Sequence, residues 1–202
     1  MSSGEKRPLA SASRIANLIK DHVLLSSSRA VVAGSIRREK DLISDIEIVA
    51  LPENREKLGL LISDFGQIIK PGTPDIIPWQ FKSDAKYVRI WIPDESIKVD
   101  LFLANVNNWG GLLMMRTGSG TGLNGEPMSG FTTGMFSRWK KVSGGGRMNG
   151  AQPTTKSGEI LPVKEEIDVF DLCKVKFVDP KQRTDRSVIK EYSYLRECQI
   201  QL

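Results

Sequence analysis

The chain reads as an α+β protein built in two lobes. Three observations predict this. In the first half, segments with apolar residues at helical spacing are interspersed with short β-branched runs. The stretch KYVRIWIPDESIKVDLFLA, residues 86–104, is two alternating runs around a turn, the pattern of an antiparallel hairpin. After residue 116 the composition shifts to glycine-rich and basic segments. The boundary is therefore expected there, between lobes 1–116 and 117–202.

The elements follow in order. Ile15, Leu18, Ile19 and Val23 recur at helical spacing over residues 11–25, and SSSR at 26–29 ends that helix. AVVAG (30–34) is a short strand closing on glycine. SDIEIVAL (44–51) is a second strand, stopped by Pro52, and NREKLGLLISDF (54–65) returns to helix. GQIIK (66–70) is another strand, and the proline-broken PGTPDIIP (71–78) is a loop. The hairpin turns at Pro93-Asp94-Glu95-Ser96. NNWGGLLMMR (107–116) suits a short helix and TGSGTGLNGEP a loop. MSGFTTGMFSRWKKV (128–142) suits a helix weakened by two glycines, and SGGGRMNGAQPTTKSG (143–158) a loop or hairpin. In VKEEIDVFDLC (163–173), Val163, Ile167 and Phe170 predict one helix face. KVKFVDP (174–180) alternates and predicts an extended run as far as Pro180.

The 202 residues suffice for one well-cored domain or two small lobes. There are 29 basic and 24 acidic residues, a formal net charge of +5. That balance suits an anionic partner such as nucleic acid. No apolar run reaches the length of a membrane span, and MSSGEKRPLASAS has no signal-peptide core. Cys173 and Cys198 form no CxxC pair and no disulfide framework, so an intracellular, cytoplasmic setting is expected. The single histidine, His22, lies in a helix with no partner to give it acid–base geometry. Trp79, Trp91 and Trp109 are expected in the core, and Cys173 as a small buried apolar group.

The informative stretch is AGSIRREKDLISDIEIVA, residues 33–50. Asp45 and Glu47 are two apart on a strand, so they share a face, while Ile46 and Ile48 take the other. Asp100 sits in a second alternating strand, KVDLF. If the two strands are neighbours, three carboxylates converge, and like charges so close repel. A hard divalent cation removes that penalty: Mg²⁺ takes oxygen ligands and is commonly shared between carboxylates and substrate phosphates. Two such ions can serve the attacking and leaving oxygens of a displacement. Gly34-Ser35 presents backbone N–H groups at a turn, and Arg37 and Arg38 bring guanidinium forks, all suited to a triphosphate. Phosphoryl transfer needs mainly positioning and charge neutralisation, so a histidine base is unnecessary.

In this order, Gly34-Ser35, Arg37-Arg38, Asp45-Ile46-Glu47 and Asp100 resemble the nucleotidyltransferase superfamily, and more narrowly the family X, polymerase-β-like DNA polymerases. RTGSGTGLN (116–124) resembles the family's Thr-Gly-Ser…Asn segment, and GEILPVKEEIDVFDLCKVKFVDPKQR (158–183) its Gly-Glu…Leu-Pro…Asp-Ile-Phe…Pro-x-x-Arg ending. The resemblance implies a nucleotidyltransferase palm, a mixed sheet with helices, followed by a small thumb-like lobe. It implies that Asp45, Glu47 and Asp100 ligate two Mg²⁺ ions, with Mn²⁺ as a substitute and Asp100 nearest the primer 3′-hydroxyl. Gly34, Ser35, Arg38 and Ser44 would hold the triphosphate, and Thr117, Gly118 and Asn124 would line sugar and base. The implied substrates are dNTPs and a DNA primer-template or short gap, as in DNA repair, and a monomer is expected.

The chain departs from the family in several places. Asp45-x-Glu47 replaces the usual Asp-x-Asp, Met115-Arg116 replaces an aromatic pair that checks the sugar, and Gly120 replaces an acidic residue. Only about 30 residues precede Gly34, without the lyase and helix-hairpin-helix regions of larger relatives, so the organisation resembles the reduced polymerases of some viruses. Arg138, Lys140, Lys141 and Arg147, with Trp139 among them, are either a phosphate-facing cluster or a solvated helix end. Two alternatives stand beside the polymerase. One is a template-independent nucleotidyltransferase acting on RNA ends, a protein or a small molecule. The other is an inactive DNA-binding scaffold.

Overall fold

The computed structural model describes residues 6–70, 75–77, 85–121, 125 and 129–194. Expectations for Trp79, Asn124 and Cys198 fall outside these residues. The chain divides into two compact units, Met1–Asn105 and Val106–Leu202.

In the first unit, β1 (Arg7–Pro8) leads into α1 (Leu9–Leu24), followed by β2 (Ser27–Val32), the short turn of helix α2 (Gly34–Arg37) and β3 (Leu42–Ile43). Then come β4 (Asp45–Pro52), α3 (Arg55–Ser63), β5 (Gln67–Ile68), β6 (Tyr87–Ile92) and β7 (Ile97–Leu103). Among the described residues, five strands make one mixed sheet in the order β2-β4-β7-β6-β5. β4 runs parallel to β7, and the other pairings are antiparallel. The fold class is α+β, as the pattern predicts.

Strand alternation explains the core. Ile46, Ile48 and Ala50 of β4 are buried with Val99, Leu101 and Leu103 of β7 and Val88, Ile90 and Ile92 of β6. α1 adds Ala12, Ile15, Ala16, Ile19 and Val23 to the same core. Leu18, expected on that stripe, is 53% exposed, because Ala12 and Ala16 complete the buried face instead. α3 begins where the Asn54 side chain accepts the Lys57 backbone N–H at 2.8 Å, a standard N-cap. His22 is exposed, its Nδ1 3.0 Å from the Leu18 carbonyl oxygen, in keeping with a helical surface role.

The second unit contains α4 (Trp109–Thr117), α5 (Phe131–Val142), the hairpin β8 (Arg147–Asn149) and β9 (Gln152–Thr154), α6 (Glu166–Leu172) and α7 (Val188–Glu191). Its core holds Met114, Phe131, Met135, Trp139, Val163, Val169, Phe170, Cys173, Val175, Val178 and Ile189. The division between the units falls at residue 105, whereas the sequence places it at 116. α4 belongs to the second unit because its two glycines meet that unit's backbone directly. A Cβ on Gly110 would lie 1.9 Å from the Glu165 carbonyl oxygen, and one on Gly111 1.7 Å from that of Ala151.

Two local expectations are corrected. Val163 and Ile167 do not share a helix face, since α6 starts only at Glu166, where Asp168 accepts the Glu165 backbone N–H at 2.8 Å. Ile167 is 41% exposed, and Glu166, Val169 and Phe170 form the buried side. Residues 174–180 form no strand; Val175 makes a single bridge to Ser193, and a 3₁₀ turn follows at Pro180–Gln182. Among the described residues, no helix is long and apolar enough to cross a membrane.

Candidate active site

The face of the sheet opposite the core of the first unit carries the carboxylates. Parallel pairing sets Glu47 of β4 opposite Asp100 of β7, and Asp45 opposite Lys98. Registered neighbours project to the same face. Antiparallel pairing continues both rows onto β6, with Arg89 opposite Asp100 and Trp91 opposite Lys98. Two rows therefore cross the strands, Glu47–Asp100–Arg89 and Asp45–Lys98–Trp91. Trp91, expected in the core, is half-buried on this face instead.

Asp100 is buried, at 7% exposure, and its carboxylate is held by β6. Arg89 donates from Nε to Oδ1 at 2.7 Å and from Nη2 to Oδ2 at 2.8 Å. Tyr87 donates its hydroxyl to Oδ1 at 2.7 Å. The hydrogen bond to Asp100 raises the Arg89 pKa above its ordinary value, against an opposing effect of burial. Burial raises that of Tyr87, and the hydrogen bond to Asp100 raises it further. Neither Arg89 nor Tyr87 is singled out by the sequence reading. The signal was present in the hairpin: with residues 93–96 as the turn, Ile92 pairs with Ile97, and counting back brings Arg89 opposite Asp100.

The turn between β2 and β4 packs on the other end of the row. Gly34 has φ +60°, and a Cβ there would fall 2.1 Å from Oε2 of Glu47. The Glu47 carboxylate thus lies against the bare Cα of Gly34, while the Ala33 N–H donates to the Glu47 carbonyl at 2.8 Å. Arg38 donates from Nη2 to the Ser35 hydroxyl at 3.2 Å. Burial lowers the Arg38 pKa, and the nearby Glu47 and Asp45 carboxylates push it back up. Ser44 donates its hydroxyl to Asp45 Oδ1 at 3.2 Å. Gly34, Ser35, Arg38, Ser44, Asp45 and Glu47 are therefore gathered at one end of β4.

Gly34→Ala is expected to destabilise the fold by about 1–2 kcal/mol from the left-handed backbone alone. It should also displace the Glu47 carboxylate, which the added methyl would overlap. Urea denaturation measures the first effect, and an unchanged midpoint would contradict the left-handed backbone at this position.

The donor chemistry suits a hard cation: three carboxylates on one face, two of them in register. Their side chains do not close into a cluster. Among the described residues no three His, Cys, Asp or Glu side chains converge in ligating geometry, and Asp100 is drawn instead to Arg89 and Tyr87.

Residues expected to meet sugar and base lie in the second unit. Thr117 is fully buried. Gly118 packs on the start of α5, where a Cβ would lie 2.4 Å from the Thr132 hydroxyl. Ser119 ties this turn to the C-terminal segment, donating its hydroxyl to the Thr184 carbonyl at 2.6 Å and accepting the Phe131 N–H at 3.2 Å.

The basic cluster is divided by the structure. Arg138 is buried at 7% exposure and donates from Nε to the Cys173 carbonyl at 3.0 Å. Arg138 therefore does not share an exposed basic surface with Lys140, Lys141 and Arg147, which remain solvent-facing. The reason is helical spacing: Phe131, Met135, Arg138 and Trp139 form the buried face of α5. Trp139 is buried as well, donating Nε1–H to the Thr154 carbonyl at 3.0 Å. Cys173 is buried as expected, and burial pushes its thiol pKa up to about 12, leaving it an inert apolar group.

A scan against protein-family models finds no match to this chain, and a search of the curated proteins finds no relative.

Proposed function

We propose that the chain is a nucleotidyltransferase, specifically a family X-type DNA-directed DNA polymerase that adds dNTPs to a primer 3′-hydroxyl at short gaps. The supporting observation is the β4–β7 register. It sets Glu47 beside Asp100 on a face shared with Asp45, at the end of the strand where Gly34-Ser35 and Arg38 gather.

In this mechanism the primer 3′-hydroxyl releases its proton to water as its oxygen attacks the α-phosphorus of the dNTP. The new P–O bond forms as the bond to the β-phosphate bridging oxygen breaks, and pyrophosphate leaves. Ser35 and Arg38 bind the triphosphate through the hydroxyl and guanidinium donors. Gly34, lacking a Cβ, lets Glu47 approach this turn, and Ser44 orients Asp45. Asp45, Glu47 and Asp100 would hold two Mg²⁺ or Mn²⁺ ions, which supply activation of the attacking hydroxyl and neutralisation of the leaving group. Tyr87 holds Oδ1 of Asp100 and so sets the direction its other oxygen faces. Lys140, Lys141 and Arg147 are surface cations suited to DNA phosphates. The protein would work as a monomer in an intracellular, cytoplasmic setting.

Primer extension on a one-nucleotide-gapped duplex tests this, with each dNTP and rNTP supplied separately and Mg²⁺ or Mn²⁺ present. Incorporation dictated by the template base is the expected result. Untemplated addition would replace the polymerase by a terminal transferase. No addition with either ion would leave a non-DNA acceptor or an inactive binding scaffold.

A further inference from the structure

We propose that Arg89 is a latch on Asp100, competing with the divalent cation for the same carboxylate and giving it up when the cation binds. This rests on the reading of Asp45, Glu47 and Asp100 as the carboxylates that hold the cation. It adds a residue that works against cation binding.

The register makes Arg89 and Asp100 permanent neighbours on adjacent strands. Their separation can change only by side-chain rotation. A carboxylate offers about four lone-pair directions. Tyr87 and the Nε of Arg89 take Oδ1, and the Nη2 of Arg89 takes one direction on Oδ2. What remains to a cation is a single direction on Oδ2, beside a guanidinium of like charge. The ion and the latched arginine therefore oppose each other, by charge repulsion and by competition for the lone pairs of Oδ2.

The exposures decide which partner yields. The Arg89 side chain is 29% exposed, and that of Asp100 only 9%. Arg89 can swing its head into water along its long stem, whereas Asp100 is confined. Tyr87 carries no charge, so it can stay on Oδ1 and keep the carboxylate aimed while Arg89 leaves. With no ion bound, Arg89 compensates a carboxylate that would otherwise be a buried charge. With the ion bound, that compensation is redundant.

A latch and a positioning residue predict opposite signs. Removing a latch tightens cation binding and weakens the metal-free fold. Removing a residue that aims Asp100 for the ion weakens cation binding as well.

The test is Mn²⁺ titration of the full chain, reading unbound Mn²⁺ by electron paramagnetic resonance, with thermal denaturation in chelator as a second readout. Arg89→Met is expected to bind Mn²⁺ about tenfold tighter than the parent, a difference of ~1.4 kcal/mol, and to melt at a lower temperature without metal. Adding Asp100→Asn to that variant should abolish the gain. If Arg89→Met does not fold, Arg89→Lys, which keeps the charge but loses the two-pronged contact, should still bind Mn²⁺ more tightly than the parent. Equal or weaker Mn²⁺ affinity in the folded Arg89 variant overturns the latch. Asp45→Asn separates the two levels. If it leaves parental Mn²⁺ binding unchanged, the carboxylate site itself falls and the latch with it. Binding that depends on Asp45 but is indifferent to Arg89 overturns the latch alone.

Discussion

On the proposed polymerase reading, Asp100→Asn is expected to lower the rate of nucleotide incorporation by at least about a thousandfold, the effect of losing roughly 4 kcal/mol of charge stabilisation in the transition state. The substitution keeps the shape of the side chain and removes its charge. An asparagine oxygen can still accept from Arg89 or Tyr87, so the β6–β7 contact at this position is partly retained. Arg89 is exposed enough to turn to solvent when its counter-charge is gone. The stability loss should therefore be about 1–3 kcal/mol, the scale of weakened hydrogen bonds to a charged group. Single-turnover primer extension gives the rate, and thermal denaturation shows that the fold persists. An incorporation rate within tenfold of the parent, in a folded protein, would remove Asp100 from the reacting centre.

Arg183→Met should be the most destabilising of the substitutions considered. Arg183 is fully buried in the second unit. It donates from Nη1 to Glu166 Oε1 at 2.5 Å and from Nε to the Val178 carbonyl at 2.9 Å. Its guanidinium carbon also lies 4.9 Å from the ring centre of Phe170, 5.0 Å from that of Phe177 and 5.8 Å from that of Phe131. Removing it takes the arginine's bonds away from the buried Glu166 carboxylate and the Val178 carbonyl together. Breaking a buried ion pair from one side costs about 3–5 kcal/mol, which a urea unfolding midpoint resolves easily. Replacing both partners, Arg183→Met with Glu166→Leu, should recover much of the loss, because no charge is then left unpaired. A double variant as unstable as the single one would mean that the contacts with the three rings, not the pair, supply the stability. Arg183→Lys should also be costly, because an ammonium cannot reproduce the planar fork that reaches both Glu166 and the Val178 carbonyl.

These two arginines show where local pattern ends. Arg183 sits in VDPKQRTD and Arg89 in KYVRIWI, and neither stretch names its partner. The Arg183 partner is 17 residues away in α6. The Arg89 partner is found only once the hairpin register is known. Arg138 carries the same lesson in reverse: its neighbours Lys140 and Lys141 make it look like a surface cation, yet its helical phase with Phe131 and Met135 buries it. The residue-105 boundary could have been suspected from Gly110-Gly111. Two glycines opening a helix cost helix propensity, which is tolerated where another backbone must approach closely.

By itself the sequence determined most elements of the first unit and the face on which its carboxylates lie, though not the buried side of α6 or the course of residues 174–180. The alternation of Asp45 and Glu47 with Ile46 and Ile48 is a property of any strand of period two, so the placement of the carboxylates opposite the core was decided within a few residues. The α+β class, the hairpin at residues 87–103 and the burial of Cys173 followed in the same way from spacing and composition. The tertiary structure decided the partners. It set Glu47 beside Asp100, gave Asp100 to Arg89 and Tyr87, enclosed Arg183 with Glu166, and moved α4 into the second unit. The physical reason is range. Periodicity acts between residues a few positions apart, whereas register, ion pairing and close backbone approach depend on chain segments that only packing brings together.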